Sequence, residues 1–225
     1  MNIKIIFTLV IFVILLATQV VAAPVFIEDF NDNSINNELW IPSTYGSHTI
    51  LQEQNQRLEI IFPEEELDEW LLAGSYRSKF SLRGDYDIQI DYSMFNSSVF
   101  DNGIVWLSVF DTVGRGNSIN NGDGYVFVDR KQTTDTSGKL RLTRKGDVAT
   151  GYYYENGEWI SLGSRQTPLH NYSVSFGYNS NGYGYDLISS PLSIALDNFI
   201  INEGQIVFNP VPEPSSIFAL FGGIA

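Results

Sequence analysis

The segment Tyr86-Asp87-Ile88-Gln89-Ile90-Asp91-Tyr92 alternates apolar and polar residues without a break. A period of two dictates a strand with one core face and one wet face. The same signature recurs in short alternating or apolar runs cut by Gly, Asn, Asp and Ser clusters. Candidate strands are 25–30, 57–62, 73–80, 86–94, 104–110, 124–130, 139–145, 148–155, 158–164, 171–178 and 192–202. Asn156-Gly157, set between Tyr154 and Trp159, supplies two residues that accept positive φ, as a type I′ hairpin requires. Beyond residue 23 no segment keeps a helical period, and no internal repeat or second domain is visible. The pattern is that of an all-β sandwich of two antiparallel sheets over residues 24–208.

Composition narrows the function classes. With no cysteine, thiolate catalysis and Cys-based metal sites are excluded, and the core must hold without disulfide staples. A formal net charge of −13 argues against nucleic acid and against docking on anionic lipid.

Both ends of the chain concern delivery. Lys4, the apolar run 5–16 and the small residues Val20-Val21-Ala22-Ala23 predict a helical signal peptide over 1–23, cut after Ala22. Near the other end stands Val211-Pro212-Glu213-Pro214-Ser215-Ser216, followed by the apolar stretch 217–225. Residues 209–225 resemble the PEP-CTERM sorting signal of biofilm-forming Gram-negative bacteria, through Pro212, Glu213 and Pro214. The basic cluster of that signal is missing, and the apolar stretch is shorter than the ~20 residues of a bilayer span, so the signal reads as partial. The resemblance implies an exosortase-type processing enzyme as partner. It also implies transient membrane contact and release to the cell surface or exopolysaccharide matrix.

The middle of the chain carries a second resemblance. Phe26-Ile27-Glu28-Asp29-Phe30-Asn31-Asp32-Asn33 followed by Trp40, then Gly84-Asp85-Tyr86-Asp87-Ile88-Gln89-Ile90, Leu140-Arg141-Leu142-Thr143-Arg144 and Ala195-Leu196-Asp197-Asn198-Phe199, stand in the order seen in concanavalin A-like jelly rolls. That superfamily includes lectins, laminin-G-like domains and the laminarinase and lichenase glycosidases. The implied fold is a jelly-roll sandwich. The implied cofactor is a structural calcium ion between the first and last strands, with Asp197 as the carboxylate and Glu28 and Gly46 near the remaining ligand positions.

Retaining glycosidases need two carboxyl groups about 5–5.5 Å apart. The jelly-roll enzymes supply them from Glu-x-Asp-x-Glu on one strand. The nearest string here, Glu64-Glu65-Glu66-Leu67-Asp68-Glu69-Trp70, has the wrong order and reads as a solvated acidic loop. Asp87 and Asp91 lie on a better strand but offer no Glu, and read as its wet face. His48 and His170 are the only histidines, too few for most zinc catalytic sites. Residues 111–123 lack the spacing of a calcium loop. Sugar binding would use exposed aromatics with Asn and Asp beside them, a composition found at Asn181, Tyr183, Tyr185 and Asp186, with Trp70 as a possible addition. The expectation is therefore not an enzyme but an exported binding or structural module whose ligand is a matrix polysaccharide. Two alternatives stand beside it. One is a divergent laminarinase-like glycoside hydrolase using Asp87 and Asp91 or the 64–69 acids, and the other is a purely structural matrix protein.

Overall fold

The computed structural model describes residues 23–45, 48–63, 73–93, 104–111, 125–130, 135–167, 171–179 and 192–208. Their regular elements are strands: β1 (Phe26–Glu28), β2 (Trp40–Tyr45), β3 (Ile50–Gln54), β4 (Arg57–Phe62), β5 (Ala73–Ser93), β6 (Ile104–Asp111), β7 (Tyr125–Arg130), β8 (Gly138–Lys145), β9 (Val148–Glu155), β10 (Glu158–Gln166), β11 (Asn171–Asn179) and β12 (Leu192–Phe208). The all-β jelly-roll expectation holds. Asn156 and Gly157 take φ of 51° and 89° at the β9–β10 turn, as the sequence predicted. The signal peptide and the Pro212-Glu213-Pro214 segment lie outside the described residues.

Two strands carry no alternation and escape a sequence reading. β2 exposes every residue but Trp40 and includes Pro42, while β3 is a polar strand paired only to β4. Both sit at sheet edges, where no second face enforces a pattern.

The architecture turns on β5, which the sequence pattern had divided into strands 73–80 and 86–94. Along one edge β5 pairs first with β2 and then with β12; along the other it pairs first with β11 and then with β8. Its first half thus belongs to a front layer, β2-β5-β11-β6-β7, and its second half to a back layer, β3-β4-β12-β5-β8-β9-β10, with β1 beside β12. Contacts of β6 with β8 and of β7 with β8 and β9 lay one layer over the other.

The crossing point is held by polar groups. Gly84 takes φ 75°, a region that disfavours residues with a β-carbon. The fully buried Arg144 donates from Nη1 to the Gly84 carbonyl at 2.8 Å and from Nε to Thr167 Oγ1 at 3.1 Å. On the facing edge β5 bulges, setting residues 78–80 against Val174 of β11, and the buried Ser78 hydroxyl accepts the Val174 N–H at 2.9 Å while donating to the Phe80 carbonyl at 2.6 Å. Backbone groups that a bulge would orphan are therefore satisfied.

Between the layers Trp40 is the hub. Its ring centroid lies 5.0 Å from Phe176 of the front layer, 5.3 Å from Phe199 of the back layer and 5.6 Å from Phe80 of β5, all edge-on. Such ring pairs add to stability beyond the area they bury.

Close packing of β5 on β11 depends on Gly177. A β-carbon there would meet the Gly74 carbonyl oxygen, and Ser75 Cα and Cβ at 2.8 Å, all groups fixed by the ladder. Gly177→Ala is expected to destabilise the fold by about 1–3 kcal/mol, seen as a Tm lowered by roughly 3–10 °C in a thermal melt. A Tm within 1 °C of wild type (roughly the scatter of a melt, ~0.3 kcal/mol) would show that the strands are not held this close.

At the rim, Glu53 of β3 is buried, and among the described residues its Oε1 has no hydrogen-bond partner. Burial first, then the Asp32 carboxyl beside it, raise its pKa above the usual 4.5. The folded state therefore holds this proton more tightly than the unfolded chain does. The group's contribution is fully favourable below pH 4.5 and is lost as pH climbs through the raised value. Glu53→Gln keeps the shape without the charge. Its Tm relative to wild type is expected to rise between pH 4 and pH 7 (the window opened by the raised pKa), and a flat difference would overturn the assignment.

Candidate functional site

The outer faces of the two layers differ in kind. On the back layer, Asp87, Gln89 and Asp91 of β5 point away from the core that receives Tyr86, Ile88, Ile90 and Tyr92. Asp87 accepts Arg141 Nε at 2.8 Å and a second bond from Nη2, and this carboxylate is what raises the Arg141 pKa. Asp91 accepts Lys139 Nζ at 2.8 Å and Asn198 Nδ2 at 3.3 Å. As a hydrolytic pair they fail on geometry. Four residues along a strand separate them by about 13 Å, against about 5–5.5 Å for retaining and about 6.5–9.5 Å for inverting chemistry. Both are also engaged by cations. The sequence-stated alternative that assigned catalysis to Asp87 and Asp91 is thereby corrected.

Asp197 faces Asp91 directly across the β5–β12 pairing. Burial, then Asp91 and Asp29, raise its pKa, against the Asn198 N–H that donates to its Oδ1 at 2.7 Å. Glu28 is paired with Phe199, and burial raises its pKa while the Trp40 indole and the Phe30 N–H favour its charged form. Gly46 lies outside the described residues. Among the described residues no three His, Asp or Glu side chains converge as a metal site. Asp91 and Asp29 beside Asp197 nevertheless concentrate the negative charge that a hard cation requires.

The proposed sugar-binding residues Asn181, Tyr183, Tyr185, Asp186 and Trp70 all lie outside the described residues, as do the 64–69 acids.

The front layer presents an outer face of small residues that the sequence reading missed. In β11, Tyr172, Val174, Phe176 and Tyr178 fill the core, so Ser173, Ser175, Gly177 and Asn179 form the opposite face. Register continues this face through Ser108 and Trp106 of β6 and Ser75 and Arg77 of β5. Ser108 is fully buried and Ser175 nearly so, although both point away from the core, and Ser108 Oγ donates to the Ser175 carbonyl at 3.1 Å. Small buried side chains on an outer face make a floor. Trp106 stands half-buried on one side of it and Arg77 exposed on the other. Opposite Trp106 in register, on β7, is Asp129. Among the described residues it is the one acidic residue at a register position on this face. The signal that could have found the floor was in the sequence, as the Ser-Ser-Gly-Asn set alternating with aromatics in 171–179.

No protein-family model matches the chain, and no curated protein matches it. Its fold is nonetheless shared with solved structures. A GlcNAcα1-4Gal-releasing endo-β-galactosidase from Clostridium perfringens superposes with a TM-score of 0.58 at 13% identity, over 81% of this chain and 63% of the other, so the chain spans less than two thirds of that protein. A glycoside hydrolase family 16 endo-glucanase from Bacteroides ovatus gives a TM-score of 0.54 at 11% identity, over 78% and 99% of the two chains. A lichenase derived from a mouse hindgut metagenome gives 0.51 at 8% identity, over 78% and 97%. These likenesses establish the concanavalin A-like jelly-roll fold. The expectation that the chain is not an enzyme, drawn from the missing Glu-x-Asp-x-Glu string, is corrected to this extent: the three solved structures named, a galactosidase, an endo-glucanase and a lichenase, share its fold.

Proposed function

We propose that this chain is an exported glycoside hydrolase that cleaves a β-linked polysaccharide lying across the outer face of the front layer. One observation carries the reading. Ser108, Ser175 and Gly177 gather small side chains on the outer face of the front layer, with the half-buried Trp106 beside them and Asp129 opposite Trp106 in register. An indole face stacks on pyranose C–H groups, and a carboxyl group is the acid, base or nucleophile that glycosidic cleavage needs. The reaction takes two such groups, and Asp129 is assigned one role. The solved structures sharing the fold support a glycan as substrate. Export rests on the sequence at the two ends, and matrix delivery on the Pro212-Glu213-Pro214 segment. A calcium ion at Asp197 would brace β12 by neutralising the acids around it, on the back layer and away from the reaction.

Incubation of the purified protein with laminarin, lichenan and a β-galactan, followed by reducing-end assay, tests the proposal. At least one polymer is expected to be cut. Asp129→Asn is expected to lower the rate by about 10²–10⁴-fold with Tm unchanged, and Trp106→Ala to act mainly on KM. Failure of every polymer to yield new reducing ends would sink the reading, and full activity in Asp129→Asn would remove that residue's role.

A further inference from the structure

We propose that the outer face of the back layer is a second, non-catalytic glycan-binding platform, built by Arg141, Tyr152, Tyr154 and Trp159 and taking a neutral polysaccharide chain. Strand register sets Arg141 beside Tyr152, and Tyr154 beside Trp159, across β8, β9 and β10. None of these rings belongs to the core. Tyr154 is 39% exposed, Tyr152 and Trp159 are half-buried, and the β9–β10 hairpin runs out to the edge of the sandwich. Edge strands commonly carry charge on such positions. Aromatic rings held there in contact with water are the unexpected feature.

The rings are preorganised. Tyr154 and Trp159 meet edge-on with centroids 5.1 Å apart. The Arg141 guanidinium lies 5.5 Å from the Trp159 ring and 5.9 Å from that of Tyr152. Arg141 is in turn fixed by its two bonds to Asp87. Little side-chain freedom is left to lose when a ligand stacks on the remaining ring faces. Hydrogen-bonding groups adjoin them: Asn202 Nδ2 lies 3.4 Å from Gln89 Oε1 and 3.5 Å from Asp87 Oδ1.

Charge selects the ligand. Asp87 and Asp91 are matched by Arg141 and Lys139, so the platform carries no net charge of its own. The surrounding molecule carries −13 and repels polyanions. Paired ions and fixed aromatic faces suit the hydroxyls and C–H surfaces of an uncharged sugar chain. The platform rests on a different layer from the Ser108, Ser175 and Gly177 face, so it is independent of the hydrolytic reading apart from the shared class of ligand.

Affinity gel electrophoresis of the full chain tests it, with laminarin, lichenan, a β-galactan or the polyanion alginate cast in the gel. Using Asp129→Asn as background removes any need for hydrolysis. Retardation by at least one neutral polymer is expected. Trp159→Ala and Tyr152→Ala should each weaken it about tenfold, Trp159→Phe should keep most of it, and Trp106→Ala should leave retardation in place. Circular dichroism melts confirm folding of each variant. Retardation abolished by Trp106→Ala but untouched by Trp159→Ala, retardation by alginate alone, or none at all would each overturn the platform. Binding without hydrolysis would uphold it while removing the proposed activity, and hydrolysis with binding insensitive to Trp159 would do the reverse.

Discussion

The whole molecule depends on one strand serving two sheets. β5 runs from Ala73 to Ser93 and exchanges both neighbours near its middle. A strand that leaves one layer for another must find partners for the backbone groups freed at the crossing, because a buried unpaired group costs about as much as a lost hydrogen bond. Arg144 supplies one at the Gly84 carbonyl, and Ser78 supplies another at the Val174 N–H. Burying a guanidinium is costly unless its donors are used. The same side chain that closes the bend therefore ties β8 to β5 and orders the back layer.

Because the period of β5 is two on both sides of the crossing, each layer inherits a core face and an outer face from the same strand. The residues assigned to the outer faces differ sharply. On the front layer they are Ser and Gly in β11, beside larger side chains on the neighbouring strands. On the back layer the outer residues are Asp and Gln, matched by Arg141 and Lys139 from β8. A face of small residues and an ion-paired face follow from which side chains the alternation turns outward.

This explains how much of the molecule was legible in its sequence. Alternation found the strands with one face in the core, and the Asn156-Gly157 turn was read down to its backbone angles. It missed β2, whose exposure leaves no period, and β3, whose buried position is the charged Glu53, and it broke β5 between residues 80 and 86, around a glycine that ordinarily ends a strand and here only bends it. The candidate site was harder. Acid density drew attention to Asp87 and Asp91, whose four-residue spacing on an extended strand rules them out as a pair. Tyrosine density drew it to 183–185. Density along the chain says nothing of register, and register is what sets Ser175 beside Ser108 and Trp106 opposite Asp129. A floor made of small residues has no chemical signature until its neighbours across the sheet are known.

The distribution of charge links these features. The chain has 26 acidic against 13 basic residues, yet the strands of both outer faces hold basic side chains: Arg77 on the front, Lys139 and Arg141 on the back. The acidic excess shows at the rim, where Glu28, Glu53 and Asp197 all have pKa values raised by burial and by one another's neighbours. Clustered like charges destabilise the fold locally, so their retention there is a cost set against stability. What the arrangement yields is a pair of sheet faces with little net charge within an acidic molecule. On the proposed reading, such faces would suit an uncharged polymer, while the long-range field of the acidic molecule would turn polyanions away before any single contact is made.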